Sequence, residues 1–289
     1  MTGCAIEDDR DDCCGNVLME YQYLPYGVDE FTMYIHSLRH FLFDSEGRFV
    51  YEITDEDGDL QRQRLSLSEG DYTLLTLGNA DQPLAFDASD QTLNTLQMEL
   101  TQRTSSGEYL NTDELYWGLC NMHIAGRGEQ HFVTYMNNIH CHLQVRVLWY
   151  NMPGDVGDYR MELSQVPVGY KLSPRDTYTV DDKVMPSNNG VLRTYVRTTP
   201  LKAQELQDEF VTLRYNDDTI PYFQLWFGEK AVTGLIDLSR AFRTWGWRPE
   251  ATAVQEYRIQ MTIFSDGTVE VKPWMETDVE DWQDGGSFG

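Results

Sequence analysis

Ile139-His140-Cys141-His142-Leu143-Gln144-Val145-Arg146-Val147-Leu148-Trp149 is the stretch that decides the fold class. Ile139, Cys141, Leu143, Val145, Val147 and Trp149 fall on one side, and His140, His142, Gln144 and Arg146 on the other. Side chains of an extended chain point to opposite faces with period two, so this is a long strand with one buried face. The same alternation recurs on both sides of it. Asn16 to Leu24 places Val17, Met19, Tyr21 and Tyr23 on one face and Glu20 and Gln22 on the other. Tyr257, Ile259, Met261 and Ile263 form another clean strand, and Ser265-Asp266-Gly267 turns the chain back into Val269 and Val271. Leu38 to Phe43 and Arg48 to Ile53 flank the turn Asp44-Ser45-Glu46-Gly47, and Tyr72 to Leu77 follows the turn Ser68 to Asp71. Further strands are expected at Leu93–Leu100, Tyr159–Leu163, Val191–Arg197, Phe210–Tyr215 and Tyr222–Phe227.

Helical spacing is confined to two short segments. Val28, Phe31 and Ile35 recur at the helical interval behind Asp29 and Glu30, and Ile236 to Trp245 fits a second helix. Many short strands with regular turns predict an all-β protein of β-sandwiches. The cluster Asn151-Met152-Pro153-Gly154-Asp155 is the expected boundary between two sandwiches, 16–150 and 151–275, with an acidic tether at 1–15 and a mobile tail at 276–289.

The chain has 289 residues and a net charge of −25, from 22 Lys and Arg against 47 Asp and Glu. Such a surface is repelled by a phosphate backbone, which excludes general nucleic-acid binding. Hydrophobic residues make up 41%, enough to bury a core, which excludes wholesale disorder. No apolar stretch approaches the roughly 20 residues of a membrane-spanning helix.

Catalytic signatures are missing: the chain has no H-E-x-x-H, P-loop or G-x-G-x-x-G. His140 and His142 share a strand face but read as two exposed strand histidines with no third metal ligand in view. Asp55-Glu56-Asp57-Gly58-Asp59 has the composition of a calcium loop, yet its glycine stands at position four and Ser66 at position twelve, so it reads as a solvated loop. No enzyme activity, metal or cofactor is expected. Trp245 and Trp247, with Trp226, could stack on a sugar, though tryptophans at a helix end more often belong to the core.

The start of the chain carries a different signal. Thr2-Gly3-Cys4-Ala5 resembles the lipobox of bacterial lipoproteins, in which a signal peptide is removed ahead of a cysteine that is then acylated (a palmitate among its chains). Glu7, Asp8, Asp9, Asp11 and Asp12 follow with Arg10 the only base, a composition that stays extended and solvated. Multiple acyl chains hold a protein to a bilayer without help from its surface. If Cys4 carries lipid, four cysteines remain, and Cys13 or Cys14 could pair with Cys120 or with each other.

Taken in order, these features resemble a known family. They are the lipobox-like Cys4, the acidic tail with Cys13, Gly27-Val28-Asp29-Glu30-Phe31, FLFDSEGRFV from Phe41 to Val50, LSLSEGDYTLL from Leu65 to Leu75, and the late Val269-Glu270-Val271-Lys272-Pro273-Trp274. They look like the FimB-type fimbrial anchor lipoproteins, minor subunits of type V (fimbrillin) pili. The resemblance implies two transthyretin-like β-sandwich domains, an outer-membrane lipid anchor on Cys4, and Glu7, Asp8 and Asp9 as a surface-export signal. It implies stalk subunits as partners and no catalysis. In the related stalk pilins an Arg-directed protease removes the first strand, and a neighbour's strand enters the groove. Here the 28 residues between Arg10 and Arg39 contain no Arg or Lys. The expected consequence is a first strand, carrying Val17, Met19, Tyr21 and Tyr23, that is retained and ends the polymer. A tip or adhesin subunit binding a surface ligand through Trp245 and Trp247, and a secreted hydrolase with an acidic site, are the competing readings.

Overall fold

The computed structural model describes residues 15–55, 59–82, 84–85, 91–126 and 128–274. In chain order the first half contains β1 (Val17–Gln22), α1 (Phe31–Tyr34), β2 (Leu38–Asp44), β3 (Phe49–Asp55), β4 (Arg62–Leu65), β5 (Gly70–Gly78), β6 (Leu84–Ala85), β7 (Gln97–Leu100), β8 (Tyr116–Ile124), β9 (Gln130–Tyr135) and β10 (Asn137–Asn138). There follow β11 (His140–Trp149), β12 (Asp158–Pro167), β13 (Gly169–Lys171), β14 (Thr177–Val180), β15 (Lys183–Asn188), β16 (Leu192–Pro200), β17 (Glu205–Leu213), β18 (Tyr222–Phe227), β19 (Lys230–Ala231), β20 (Ile236–Asp237), α2 (Leu238–Trp245), β21 (Gln255–Ile263) and β22 (Val269–Pro273). The protein is all-β, with two short helices among its described residues.

The backbone forms two compact units, but not in the order the turn cluster predicted. One unit takes the chain through Thr101, then Thr112–His140 and Gly169–Asn189; the other takes Gln102–Asn111, Cys141–Val168 and everything from Gly190. Asn151 to Asp155 is a turn between β11 and β12 inside the second unit, not a domain boundary. Turn residues report where a chain reverses; they carry no information on which core the next strand joins.

The first unit has three sheets: β4-β1-β9, β10-β8-β5-β2-β3 and β14-β15-β13-β7-β6. Its core holds Val17, Met19 and Tyr21 of β1, together with Leu42, Leu74 and Met122 from β2, β5 and β8. The turn at Asp44 to Gly47 forms as expected. The Asp44 carboxylate accepts from the Glu46 and Arg48 amides at 2.9 and 3.0 Å, and Gly47 supplies the left-handed φ of 73°. β8 was not anticipated, although it pairs with β5 along nine residues. Gly118 sits within it because a Cβ there would lie 2.6 Å from the Thr134 methyl. Of the expected strand Leu93–Leu100, only Gln97–Leu100 is extended; Leu93–Thr95 is a 3-10 turn.

The second unit has two sheets, β17-β11-β21-β22 and β16-β12-β18-β19, with β20 also on β18. β11 alternates as its sequence dictates, with Cys141, Leu143, Val145 and Val147 fully buried. It lies parallel to β21 in unbroken register from Cys141↔Gln255 to Trp149↔Ile263. β21 returns as β22 through Ser265-Asp266-Gly267, where the Asp266 side chain accepts from the Thr268 amide at 2.9 Å.

Candidate functional site

The first strand is the element on which the functional reading turns. Its alternation translates directly into burial: Val17, Met19 and Tyr21 are fully buried, and Tyr23 nearly so. β1 is the middle strand of its sheet. It pairs antiparallel with β4, from Val17↔Leu65 to Glu20↔Arg62, and parallel with β9, from Val17↔Gln130 to Gln22↔Tyr135. Both of its backbone edges are therefore in ladders, which leaves no edge for another strand to join.

Both ends of β1 are fastened. Ahead of it the Asn16 side chain donates to the Leu67 carbonyl at 2.7 Å and accepts from the Leu67 amide at 2.8 Å. The Gln130 amide donates to the Asn16 carbonyl at 2.9 Å. Gly15 has φ +76°, and a Cβ on it would lie 2.7 Å from the Leu65 carbonyl oxygen, so only glycine fits where the chain enters the sheet. Behind β1 the Asp29 carboxylate accepts from the amides of Tyr23 and Phe31, both at 3.1 Å, and from the Gln61 side chain at 2.6 Å. The Met136 amide donates to the Gln22 carbonyl at 2.7 Å.

A buried polar contact ties β1 to the facing sheet. The Tyr21 ring stacks on His40 of β2 with centroids 5.2 Å apart. The Tyr21 hydroxyl lies 3.3 Å from His40 Nδ1, and Thr76 Oγ1 lies 3.1 Å from the same nitrogen. Desolvation lowers the His40 pKa to about 4, and the Gln63 side chain on β4 offsets this in part. The imidazole is neutral at pH 7, with one ring nitrogen donating and the other accepting, and its Nδ1 lies between the Tyr21 and Thr76 hydroxyls.

Cys4, Glu7, Asp8, Asp9, Cys13 and Cys14 lie outside the described residues, as do Glu56–Gly58 of the acidic loop and the tail at 276–289. Cys120 is a buried, free thiol on β8, as is Cys141 on β11, so Cys120 is not joined to Cys13 or Cys14 in this structure. His140 is not exposed as expected. It is buried, with Nδ1 at 3.0 Å from the Leu115 carbonyl and Nε2 at 3.0 Å from the Asn138 side chain. His142 is half-buried, and its Nδ1 lies 2.9 Å from Glu209, which the contact holds below the usual carboxylate pKa. Trp245 and Trp247 meet edge-on at 4.8 Å, Trp247 stacks on Tyr257 at 5.1 Å, and Phe242 packs edge-on to Trp247. These rings spend much of their surface on one another, in the manner of a core. Val28, expected on the buried face of a helix, precedes that helix and is 65% exposed.

Sequence reading missed the residues that hold β1. Asn16 and Gly15 carry a signal only in retrospect, as a polar staple and a glycine directly before the alternation. His40 sits inside an apolar run, where its role depends on a strand 19 residues away. β9, the parallel neighbour of β1, has a mixed pattern, because half-buried residues lie on both of its faces.

The model of the family Mfa2, described as fimbrillin-A associated anchor proteins Mfa1 and Mfa2, matches residues 10–280. No curated protein sequence matches. Among solved structures, a candidate adhesin from Bacteroides ovatus superposes with a TM-score of 0.68 at 16% identity, covering 91% of this chain and 94% of its own. A DUF1812 protein from Bacteroides thetaiotaomicron gives 0.66 at 14% identity, covering 91% and 99%. The fimbrial anchor protein Mfa2 from Porphyromonas gingivalis gives 0.58 at 14% identity, covering 91% and 98%. At these identities the likeness is one of fold.

Proposed function

Because this chain belongs to the family of fimbrillin-A associated anchor proteins, we propose that it is a non-enzymatic fimbrial protein that joins a fibre to the cell envelope and ends it by keeping its own first strand. The carrying observation is the seat of β1. It lies between β4 and β9 with both edges in ladders, buried side chains from Val17 to Tyr23, and no Arg or Lys from Asp11 through Leu38. The next basic residue, Arg39, stands in β2 with strands on both sides. An Arg- or Lys-directed protease that stripped the chain to that point would take Leu38 of β2 as well as β1. A pilin whose first strand is removed opens a groove for a neighbour's strand. This chain keeps that place filled, and polymerisation stops at it.

The membrane end of the reading rests on Cys4, acylated and followed by the acidic tether with Glu7, Asp8 and Asp9 as export signal, on the outer membrane of the cell. Stalk subunits are the protein partners. Cys4→Ala should move the protein from the membrane fraction to the soluble fraction, and a variant that still sediments with outer membrane contradicts a lipid attachment at this residue.

The strand claim is tested by incubating the purified chain with an Arg-specific and a Lys-specific protease, then reading the product's N-terminus by mass spectrometry and its melting curve. The expected product begins at Asp11, retains Val17 to Tyr23 and melts as the intact chain does. A product that lacks those residues and still melts cooperatively at the same temperature overturns the proposal.

A further inference from the structure

The loop that follows β1 carries an apolar surface that the core does not use. Tyr26, Val28 and Met33 are 74%, 65% and 73% exposed, and Tyr34 beside them is 40% exposed. Four large apolar side chains thus reach solvent within nine positions, whereas exposed apolar residues on a monomer are usually scattered singly. The surface is held in place. Asp29 fastens the loop to Tyr23 and Phe31, the Tyr34 ring packs edge-on to Tyr23 at 5.7 Å, and Lys183 Nζ donates to the Pro25 carbonyl at 3.2 Å. That last bond brings the tip of the β14–β15 hairpin alongside, with Asp181, Asp182 and Val184.

The border of the surface is acidic. Asp29 and Glu30 lie inside the loop, Asp181 and Asp182 at the hairpin tip, and Asp59 two residues before the Gln61 that bonds Asp29. Lys183 is the one base in these segments, and its ammonium is turned onto Pro25. An apolar centre with a rim of one charge sign is the anatomy of a protein interface, and the sign selects the partner. A second copy of this chain, at −25, would bring acid against acid, and anionic lipid is likewise repelled.

We infer that Tyr26, Val28, Met33 and Tyr34 form the face on which a fibre subunit docks, through an apolar patch of its own bordered by lysine or arginine. The inference rests on the fimbrial reading above and adds the surface that carries the contact. The apolar centre gives the affinity and the acidic border gives the orientation and rate of encounter. The face also begins directly after β1, so a subunit seated there meets the end of a strand that no other strand can replace.

The test uses the full chain against fibres sheared from cells deleted for it, immobilised on a biosensor. Two variants are compared with wild type: Y26S/V28S/M33S, and D181N/D182N, in which asparagine tolerates the positive φ of both turn positions. Wild type should bind, the triple variant at least tenfold more weakly, and the double variant with a slower, less salt-sensitive association, all with unchanged melting temperatures. A triple variant that binds like wild type overturns the docking face and leaves the fimbrial reading standing. A wild-type chain that binds no fibre overturns both. The face is also reassigned, and the inference falls, if the triple substitution converts a sedimenting dimer to monomer or abolishes binding of unlipidated chain to phosphatidylcholine vesicles.

Discussion

His40 is a neutral imidazole in the core of the first unit, and it makes that core sensitive to acid. Its pKa lies at about 4 in the folded chain, against 6.5 for the free side chain. The unfolded chain therefore takes up a proton between pH 6.5 and 4 that the folded chain refuses, so His40 opposes unfolding fully above pH 6.5 and progressively less as the pH falls toward 4. At about 1.4 kcal/mol per unit of pKa difference, on the order of 3 kcal/mol is withdrawn over that window. Urea midpoints measured from pH 7 to 4 should fall steeply in wild type and more gently in His40→Gln; parallel curves would contradict the assignment. The same contact makes Tyr21→Phe cost about 1 kcal/mol, because the hydroxyl's bond to the buried imidazole is lost. Asn16→Ala should cost about 1–2 kcal/mol, since both bonds to Leu67 vanish. Cys120 and Cys141 are buried, and burial raises both thiol pKa values. Neither should react with maleimide until the chain is unfolded in denaturant, and rapid native labelling of either would contradict its placement.

At the scale of elements, β1 behaves as core and not as an appended strand. Met19→Ala removes a fully buried side chain between two sheets and should cost about 2–5 kcal/mol, read as a shift in the denaturant midpoint at unchanged slope. A loss below about 1 kcal/mol would mean that the strand is loosely held. Its buried face was legible residue by residue, because period-two alternation needs only local information. β11, β21 and the turns at Asp44 to Gly47 and Ser265 to Gly267 were legible for the same reason. β8 was not, since Gly118, Cys120 and Asn121 break its apolar run for reasons that lie in its neighbours: Gly118 makes room for Thr134, and Asn121 accepts from Thr73. Gly169–Lys171 and Lys183–Asn188 likewise did not stand out, since the first depends on β7 for pairing and the second on β13 and β14.

Across the whole molecule, the fold class followed from the sequence, while the full set of strands and their assignment to units did not. The chain leaves the first unit and returns to it, giving Gln102–Asn111 to the second and Gly169–Asn189 to the first. Such exchanges are set by long-range pairing, as in the parallel β11–β21 register across more than a hundred residues, and local composition holds no trace of them. The net charge of −25 acts at this scale too, since like-charged copies repel one another. The resemblance read from scattered motifs is matched by a family model over residues 10–280, so order along the chain carried information that no single motif held. The central claim is that the chain works in the fibre with its first strand in place. Mass spectrometry of fibres pulled intact from the cell envelope addresses this directly, by mapping the N-terminal peptides of this chain. The account predicts that the peptide spanning Val17 to Tyr23 is recovered, uncut on its C-terminal side and in equal amount to the peptides of β21. Fibre-bound copies whose first residue lies at or beyond Phe31 would contradict it.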